Sequence, residues 1–291
     1  MATRPTLRIR KFPIDKMKPN RTILVVGKRG TGKSTLLKDI LYHLRKRVST
    51  GFAMSPTHDT IRMFEDCLPC SHIYNEYNLD VVRTLLESLA SLQEQRKLRD
   101  VAFILDDCMF DKGIMKTKEM REIHMNGRHL RLWFINSVQY LMDLGPELRT
   151  QIDYVFVLKE NILSNRQKLH KYFFGIFDRY EDFSKTMDEC TNNYECLVLD
   201  NTVPNNRIQD CVFYYKANDK IGKFRFGKSI FFKLDHYFRR TSQSPNAPRP
   251  GQSTKLPTPI QSKARIQRVE KIEDDGHAAK RSSRHRSRHG A

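Results

Sequence analysis

One segment near the start of the chain has the residue types and spacing of a phosphate-binding loop. The pattern G-x-x-x-x-G-K-[ST] is matched at every position by Gly27, Lys28, Arg29, Gly30, Thr31, Gly32, Lys33 and Ser34. The glycines let the backbone curl, so that several N–H groups and the N-terminus of a following helix point at one phosphate group. The apolar run 22–27 (TILVVG) precedes the loop, and apolar residues with helical spacing follow it over 35–47. The segment therefore predicts nucleotide binding.

Three consecutive side chains at the end of this loop have separate predicted roles. Lys33 is expected to reach the β- and γ-phosphates of ATP, and Ser34 to bind Mg²⁺. Thr35 is placed to touch the α-phosphate. ATP and Mg²⁺ are therefore the predicted ligands.

Two acids end a later apolar run, 101–107 (VAFILDD). A P-loop needs a carboxylate at the end of a neighbouring buried strand to help hold Mg²⁺, and Asp106 is the predicted magnesium partner. Asp107 is then placed to orient or deprotonate the attacking water. An acid directly after the magnesium residue indicates ATPases that have an additional strand between the P-loop strand and the acid strand.

A polar residue that ends this additional strand is expected to sense the γ-phosphate. The run 130–136 (LRLWFIN) is the candidate strand, and Gln139 is the predicted sensor. Asn136 is the second choice for the same role. Gln139 could instead simply begin the next helix.

An arginine often stabilises the charge on the transferred phosphoryl group, and a neighbouring subunit sometimes supplies it. Arg128 precedes the candidate sensor strand in a Gly-Arg-His turn and is the first choice for this arginine finger. Arg131 and Arg149 are the alternatives.

The chain of 291 residues has a net charge of +19. Residues 239–291 carry 13 Lys or Arg and 4 Asp or Glu, a net +9, so the rest carries +10 and is basic too. Such a surplus favours a nucleic acid partner through counterion release at phosphates, although solubility alone could account for it. No stretch approaches the roughly 18 apolar residues of a membrane helix. We therefore expect a soluble, intracellular protein.

Composition divides the chain into three regions. Residues 1–20 form a basic lead-in, and 239–291 lose hydrophobic periodicity and predict a disordered basic tail. The run 280–288 of this tail fits nucleic-acid contact, a nuclear signal or plain disorder. Between them, 21–238 alternate short apolar runs with helical periodicity, which predicts an α/β domain with a mainly parallel central sheet covered by helices. Two strand-like runs after residue 160 predict a C-terminal extension on that domain.

Together these motifs resemble a known family. The residues that carry the resemblance are 27–35 (GKRGTGKST), 105–108 (LDDC), 126–129 (NGRH) and 137–140 (SVQY). They are similar to the poxvirus-type genome-packaging ATPases of large nucleocytoplasmic DNA viruses, within the FtsK/HerA superfamily. The resemblance covers about residues 18–230. The wider superfamily usually has Glu where this chain has Asp107, which is one methylene shorter.

The resemblance implies a RecA-like core and a homo-oligomeric ring that moves double-stranded DNA into a capsid during virion assembly. It implies capsid or internal-membrane proteins of the virion as partners, and a location at virus assembly sites in the host cytoplasm or nucleus and in the virion. By the same resemblance Lys33 and Ser34 are nucleotide ligands, and Asp106 and Asp107 are the acid pair. Gln139 is implied as the sensor, with a weaker implication for Arg128 as the finger.

A second class of function stays open at the sequence level. A basic, non-motor assembly protein that binds nucleic acid could use ATP only as a conformational switch. A nucleotide kinase shares the P-loop, but the double acid followed by a sensor glutamine argues against one. Stimulation of ATP turnover by DNA separates a motor from a switch.

Overall fold

A computed structural model describes residues 7–108, 113–141, 145–241 and 270–271. Its strands are β1 (Arg8–Lys11), β2 (Thr22–Val26), β3 (Thr50–Met54), β4 (Ile73–Tyr74), β5 (Val101–Asp106), β6 (Leu132–Val138), β7 (Tyr154–Val157), β8 (Glu195–Asp200), β9 (Val212–Lys216) and β10 (Glu270–Lys271). Its helices are α1 (Lys33–Leu44), α2 (His58–Glu65), α3 (Leu79–Glu94), α4 (Lys118–Asn126), α5 (Pro146–Arg149), α6 (Leu163–Tyr172), α7 (Tyr180–Cys190), α8 (Ile208–Cys211) and α9 (Ser229–Thr241).

Within the described residues the strands form one sheet in the order β10-β1-β9-β8-β7-β2-β6-β5-β3-β4. The strands from β7 through β2, β6, β5 and β3 to β4 are all parallel, and β8 runs antiparallel to both β7 and β9. The predicted mainly parallel α/β sheet is confirmed. Because β8 and β9 continue this sheet, the predicted C-terminal extension is part of the core layer.

Helices cover both faces of the sheet, since every residue of the parallel strands β2, β5, β6 and β7 is buried. On one face, the apolar side of α1 packs through Leu36 and Ile40 against side chains such as Ile23 of β2 and Ile135 of β6. On the other face, α3, α4, α6 and α7 bury their apolar sides against the alternate residues of the same strands. The sheet therefore holds the loops at its two edges between rigid layers.

The region boundaries in the structure differ from the composition-based ones. Part of the predicted lead-in, 1–20, forms β1, and Phe12, Ile14 and Met17 after it are buried in the core. Of the predicted disordered tail, 239–291, the described residues are the last three of α9 and the pair that forms β10 beside β1. The other tail residues lie outside the described residues. In the part of the chain that the structure describes, no helix combines the length and apolarity needed to cross a membrane.

Candidate nucleotide-binding site

The predicted phosphate loop lies between the end of β2 and the start of α1. The Gly27 N–H donates to the Val138 carbonyl at 3.0 Å, and a Cβ on Gly27 would lie 2.6 Å from Leu158 Cδ1 and 2.9 Å from Thr31 Oγ1, so a larger residue would crowd these side chains. Gly32 has φ +94° directly before α1, a left-handed conformation that favours glycine. The loop therefore turns back over the N-terminus of α1, which points its free N–H groups at the edge of the sheet.

The additional strand predicted between the P-loop strand and the acid strand is present as β6. Its residues pair with β2 on one side, from Thr22↔Phe134 to Val26↔Val138, and with β5 on the other. Because all three strands are parallel, the residues after their carboxyl ends meet at one edge of the sheet. The predicted acid pair, the predicted sensor and the phosphate loop come together for this reason.

Asp106 is held rigidly at this edge. Its side chain is 1% exposed, and each carboxylate oxygen accepts a hydrogen bond from a hydroxyl: Oδ1 from Ser137 at 2.7 Å and Oδ2 from Ser55 at 3.2 Å. Lys33 Nζ lies 3.8 Å from Asp106 Oδ1. The carboxylate is therefore oriented from two sides towards the lysine of the phosphate loop.

Asp107 connects the phosphate loop to the predicted sensor. Its backbone adopts a left-handed conformation with φ +52°, and its N–H donates to the Ser137 carbonyl at 2.9 Å. Its Oδ1 forms an ion pair with Lys33 Nζ, and its Oδ2 accepts a hydrogen bond from Gln139 Nε2 at 2.9 Å. The structure thus brings Lys33, Asp106, Asp107 and Gln139 into one contiguous cluster.

Asn136, the second choice for the sensor, has a different position. It lies inside β6, opposite Leu24 and Leu105 of the neighbouring strands, and is 3% exposed. Its side chain occupies the face of the sheet opposite α1, since it alternates with Ile135 and Ser137. This placement separates Asn136 from the cluster and leaves Gln139 as the amide that contacts the acid pair.

Some of the other predicted residues of the phosphate loop form contacts within the protein, and others are exposed to solvent. Lys28 Nζ forms a 2.6 Å ion pair with Glu160 Oε1, and Thr31 Oγ1 donates to the Lys28 carbonyl at 2.7 Å. Arg29 and Ser34 are exposed to solvent. The remaining members, Gly30 with φ +78° and the half-buried Thr35, complete the curve of the loop and the first turn of α1.

Three residues of this site escaped the sequence analysis. Ser55 and Ser137 orient Asp106, and the buried Glu160 anchors Lys28. Serines at strand ends are too common to single out, but a glutamate shortly after the apolar strand β7 was a signal. Its carboxylate also accepts from the Ile162 N–H and Asn165 Nδ2, each at 2.8 Å, so its charge is well satisfied.

The predicted arginine finger lies at the opposite edge of the sheet. Arg128 precedes β6, and its Nη2 donates to Asp153 Oδ1 at 2.5 Å. Asp153 is 4% exposed, and this burial raises the pKa of its carboxyl. The Thr22 N–H, Arg128 and Arg21 lower the pKa, but burial has the larger effect. The five residues of β2 separate the two edges by about 17 Å at roughly 3.3 Å per residue. Arg128 therefore does not contact the cluster in its own subunit.

The two alternative arginines share this edge. Arg131 also precedes β6 and donates to Asp100 Oδ1 at 2.6 Å. Arg149 ends α5 before β7, and its guanidinium lies 4.1 Å from the centre of the Tyr172 ring. All three candidates thus lie where the parallel strands begin, away from the phosphate loop of the same chain.

The donor set at the phosphate edge fits a hard divalent cation. Mg²⁺ prefers oxygen ligands and is held by one or two protein groups together with substrate phosphates, and the exposed Ser34 hydroxyl and the Asp106 carboxylate are such groups. Among the described residues no group of three or more His, Cys, Asp or Glu side chains could hold a metal ion by itself.

Comparisons with known proteins give viral relatives and a shared fold. No protein-family model matches the chain. The chain is 33% identical over 231 residues to Uncharacterized protein L437 of Acanthamoeba polyphaga mimivirus, covering 76% of this chain and 80% of that protein. It is 32% identical over 227 residues to Uncharacterized protein 075L of Invertebrate iridescent virus 6, covering 76% and 88%.

Among solved structures, the genome packaging NTPase B204 of Sulfolobus turreted icosahedral virus 2, in complex with AMPPCP, superposes with a TM-score of 0.51. Its identity is 18%, and the match covers 69% of this chain and 100% of that one. Fold and site thus define a P-loop NTPase with a RecA-like α/β core. The chain belongs to one family with these proteins of large DNA viruses, and it shares the fold of the packaging NTPase B204.

Proposed function

We propose that this protein hydrolyses ATP and uses the energy to translocate double-stranded viral DNA into the capsid during virion assembly. One observation carries the catalytic part: β6 lies between β2 and β5, and Gln139 on its end contacts Asp107, which in turn pairs with Lys33 of the phosphate loop. A sensor, an acid and a phosphate-binding lysine that touch one another are the parts that coupled hydrolysis needs.

Each residue of the cluster has a task in this proposal. Lys33 exchanges its carboxylate partner for the β- and γ-phosphates of ATP, because a triphosphate carries more negative charge than one aspartate. Asp107, freed from the lysine, accepts the proton of the attacking water or orients it. Gln139 bonds to Asp107, so a change at the γ-phosphate is transmitted to β6 through this amide.

Ser34 and Asp106 would hold Mg²⁺ in this proposal. When bound, the ion neutralises the charge that develops on the phosphate oxygens. Ser55 and Ser137 keep the Asp106 carboxylate in a fixed orientation for it. The exposed Ser34 hydroxyl and the first turn of α1, including Thr35, face the remaining phosphates.

The charge of the chain and its arginines support the motor part. A net charge of +19 favours DNA as the partner. Arg128, at the far edge of the sheet, acts in trans as the arginine finger of a homo-oligomeric ring, in which one subunit's far edge meets the next subunit's phosphate edge. Capsid or internal-membrane proteins of the virion dock this ring at assembly sites in the host cytoplasm or nucleus and in the virion.

Steady-state ATP hydrolysis with and without long double-stranded DNA tests the function. We expect turnover to rise with DNA and this stimulation to fade as salt increases, since DNA contacts release counterions. Lys33→Ala should abolish turnover, whereas Lys38→Ala should keep it, because Lys38 lies on the same helix but pairs with Asp66 outside the loop. Turnover that is slow and indifferent to DNA at every salt concentration would contradict the motor and favour an ATP-dependent switch in assembly.

A further inference from the structure

A second concave region adjoins the phosphate loop. It is a cavity of about 460 Å³, and its lining residues are Gly32, Thr35, Asn193, Tyr194, Lys216, Ala217 and Asp219. The first two belong to the phosphate loop and α1, and the others belong to the loops before β8 and after β9. Because β8 is antiparallel to β7 and to β9, these two loops lie at the same edge of the sheet as the phosphate loop.

The Tyr194 ring is the one aromatic side chain among the lining residues of this cavity. It is 71% exposed, the largest exposed fraction among the exposed large hydrophobic side chains of the described residues. Its Cδ1 lies 3.4 Å from the position that a Cβ on Gly32 would occupy, so the ring stands directly against the phosphate loop. An exposed aromatic ring beside the phosphate loop offers a flat face on which another ring can stack.

The backbone that presents this ring is strained. Asn193 and Tyr194 both have left-handed conformations, with φ of +53° and +62°, which are uncommon outside glycine and unusual for a bulky residue. Lys159 Nζ donates to the Asn192 side chain at 3.4 Å and ties the same turn to the end of β7. Strain that the surrounding structure maintains is typical of ligand-binding positions.

We propose that this cavity binds the purine base of the nucleotide, with the base stacked on the Tyr194 ring. The inference rests on the proposed binding of ATP at the phosphate loop. Thr35 is placed at the α-phosphate and also lines the cavity, so the sugar and base leave the loop on this side. The Asp219 carboxylate and the Asn193 side-chain oxygen are acceptors for the exocyclic amino group of the base.

Binding of ATP and of inorganic tripolyphosphate, both measured by calorimetry with magnesium present, tests this inference. The two ligands share their phosphates, and only ATP carries a base. Tyr194→Ala should weaken ATP binding by about tenfold to a hundredfold, the range expected for the loss of one base–aromatic stack, and leave tripolyphosphate binding unchanged. Tyr194→Phe should bind both ligands as the wild type does, because it keeps the ring. Tyr237→Ala, which removes another exposed tyrosine (62% exposed) on α9, is the matched control.

The outcomes separate this inference from the proposed function. If wild-type protein bound ATP and tripolyphosphate equally well, the base would contribute nothing, and the inference would be overturned while the phosphate site stood. Equal weakening of both ligands by Tyr194→Ala would make Tyr194 a support of the loop and would also overturn it. If the wild type bound neither ligand, the proposed function itself would fail, and this inference with it.

Tryptophan fluorescence tests contact between the base and residue 194 without the alanine variant. Trp133 is the one tryptophan of the sequence and is completely buried, so a Tyr194→Trp substitution adds an exposed reporter. Stacking should quench or shift its emission when ATP is added and leave it unchanged with tripolyphosphate. A response to both ligands alike would contradict contact with the base.

Discussion

Lys33 connects the phosphate loop with the acid pair of the site. Its side chain is only 8% exposed and lies between both acids, 3.8 Å from Asp106 and in direct contact with Asp107. A buried ammonium requires such partners, because an unpaired charge in this environment is costly. The same positive charge that attracts phosphate therefore also holds the acid pair together.

Asp107→Asn should keep nucleotide binding and lose turnover. The amide retains the size and the contact to Gln139, but it cannot accept a proton from water, and loss of a general base costs roughly 10²- to 10⁴-fold in rate. Single-turnover hydrolysis together with equilibrium nucleotide binding measures the two effects separately. Asp80→Asn, at an aspartate that pairs with Arg83 on the surface, is the control and should leave both unchanged. Retained hydrolysis in the Asp107 variant would place the base elsewhere.

At the scale of elements, the contact between α4 and β6 contains a histidine that the mechanism does not use. His124 lies in the last turn of α4, is 5% exposed, and its ring stands edge-on to Phe134 of β6 at 5.1 Å. Neither ring nitrogen has a hydrogen-bond partner among the described residues. Burial lowers the pKa of His124 from 6.5 to about 4, so the folded protein holds the neutral ring.

This histidine should make the domain less stable in weak acid. The unfolded chain binds a proton at His124 below pH 6.5, whereas the folded chain does so only near pH 4, so stability is lost as pH falls through this window. At pH 5 the free energy of unfolding is lower by about 2 kcal/mol on account of His124, at roughly 1.4 kcal/mol per pKa unit.

His124→Leu should remove this part of the pH dependence. Urea unfolding measures the free energy of unfolding at pH 7.5 and at pH 5. The decrease between these two pH values should be about 2 kcal/mol smaller in the variant than in the wild type. His58→Leu, on α2, serves as the control, since His58 is exposed. An unchanged difference in the His124 variant would mean that water or a partner reaches the ring.

At the scale of the whole molecule, the predicted site residues lie at two opposite edges of the sheet. The phosphate loop, the acid pair and Gln139 lie at one edge, and Arg128, Arg131 and Arg149 lie at the other. Under the proposed function, these two edges are the two halves of a composite site, and they face away from each other within one subunit. A head-to-tail assembly would bring the two edges together, and such an assembly forms a ring where its rotation closes.

Arg128→Ala should reduce ATP turnover only in assembled protein. An arginine finger contributes about 10³- to 10⁵-fold to phosphoryl transfer, so mixtures of variant and wild-type subunits should lose activity with a dependence on subunit number. Arg131→Ala is a matched control, because both side chains are 48% exposed and both pair with an aspartate at this edge. If the Arg131 variant alone showed the mixing effect, the finger would be Arg131. Equal loss in isolated monomers would contradict action in trans.

Local patterns were sufficient for the phosphate loop, its flanking strand and helix, the acid strand and the additional strand. A phosphate loop depends on glycines and a lysine that are adjacent in sequence, and a buried parallel strand is a short apolar run, so neither needs distant residues to be recognised. The contact between Gln139 and Asp107 depends in addition on β6 lying parallel beside β5 in the sheet.

Only the tertiary structure decided which distant residues support and extend the site. Ser55, Glu160 and Tyr194 reach the phosphate edge from three loops far apart in sequence, and of the three only Glu160, shortly after the apolar strand β7, has a local signal. The order and direction of β1, β8 and β9 in the sheet likewise have no local signal in the sequence. The position of Arg128 at the far edge follows from the same strand directions, because a residue before a parallel strand and a residue after it are separated by the full length of that strand.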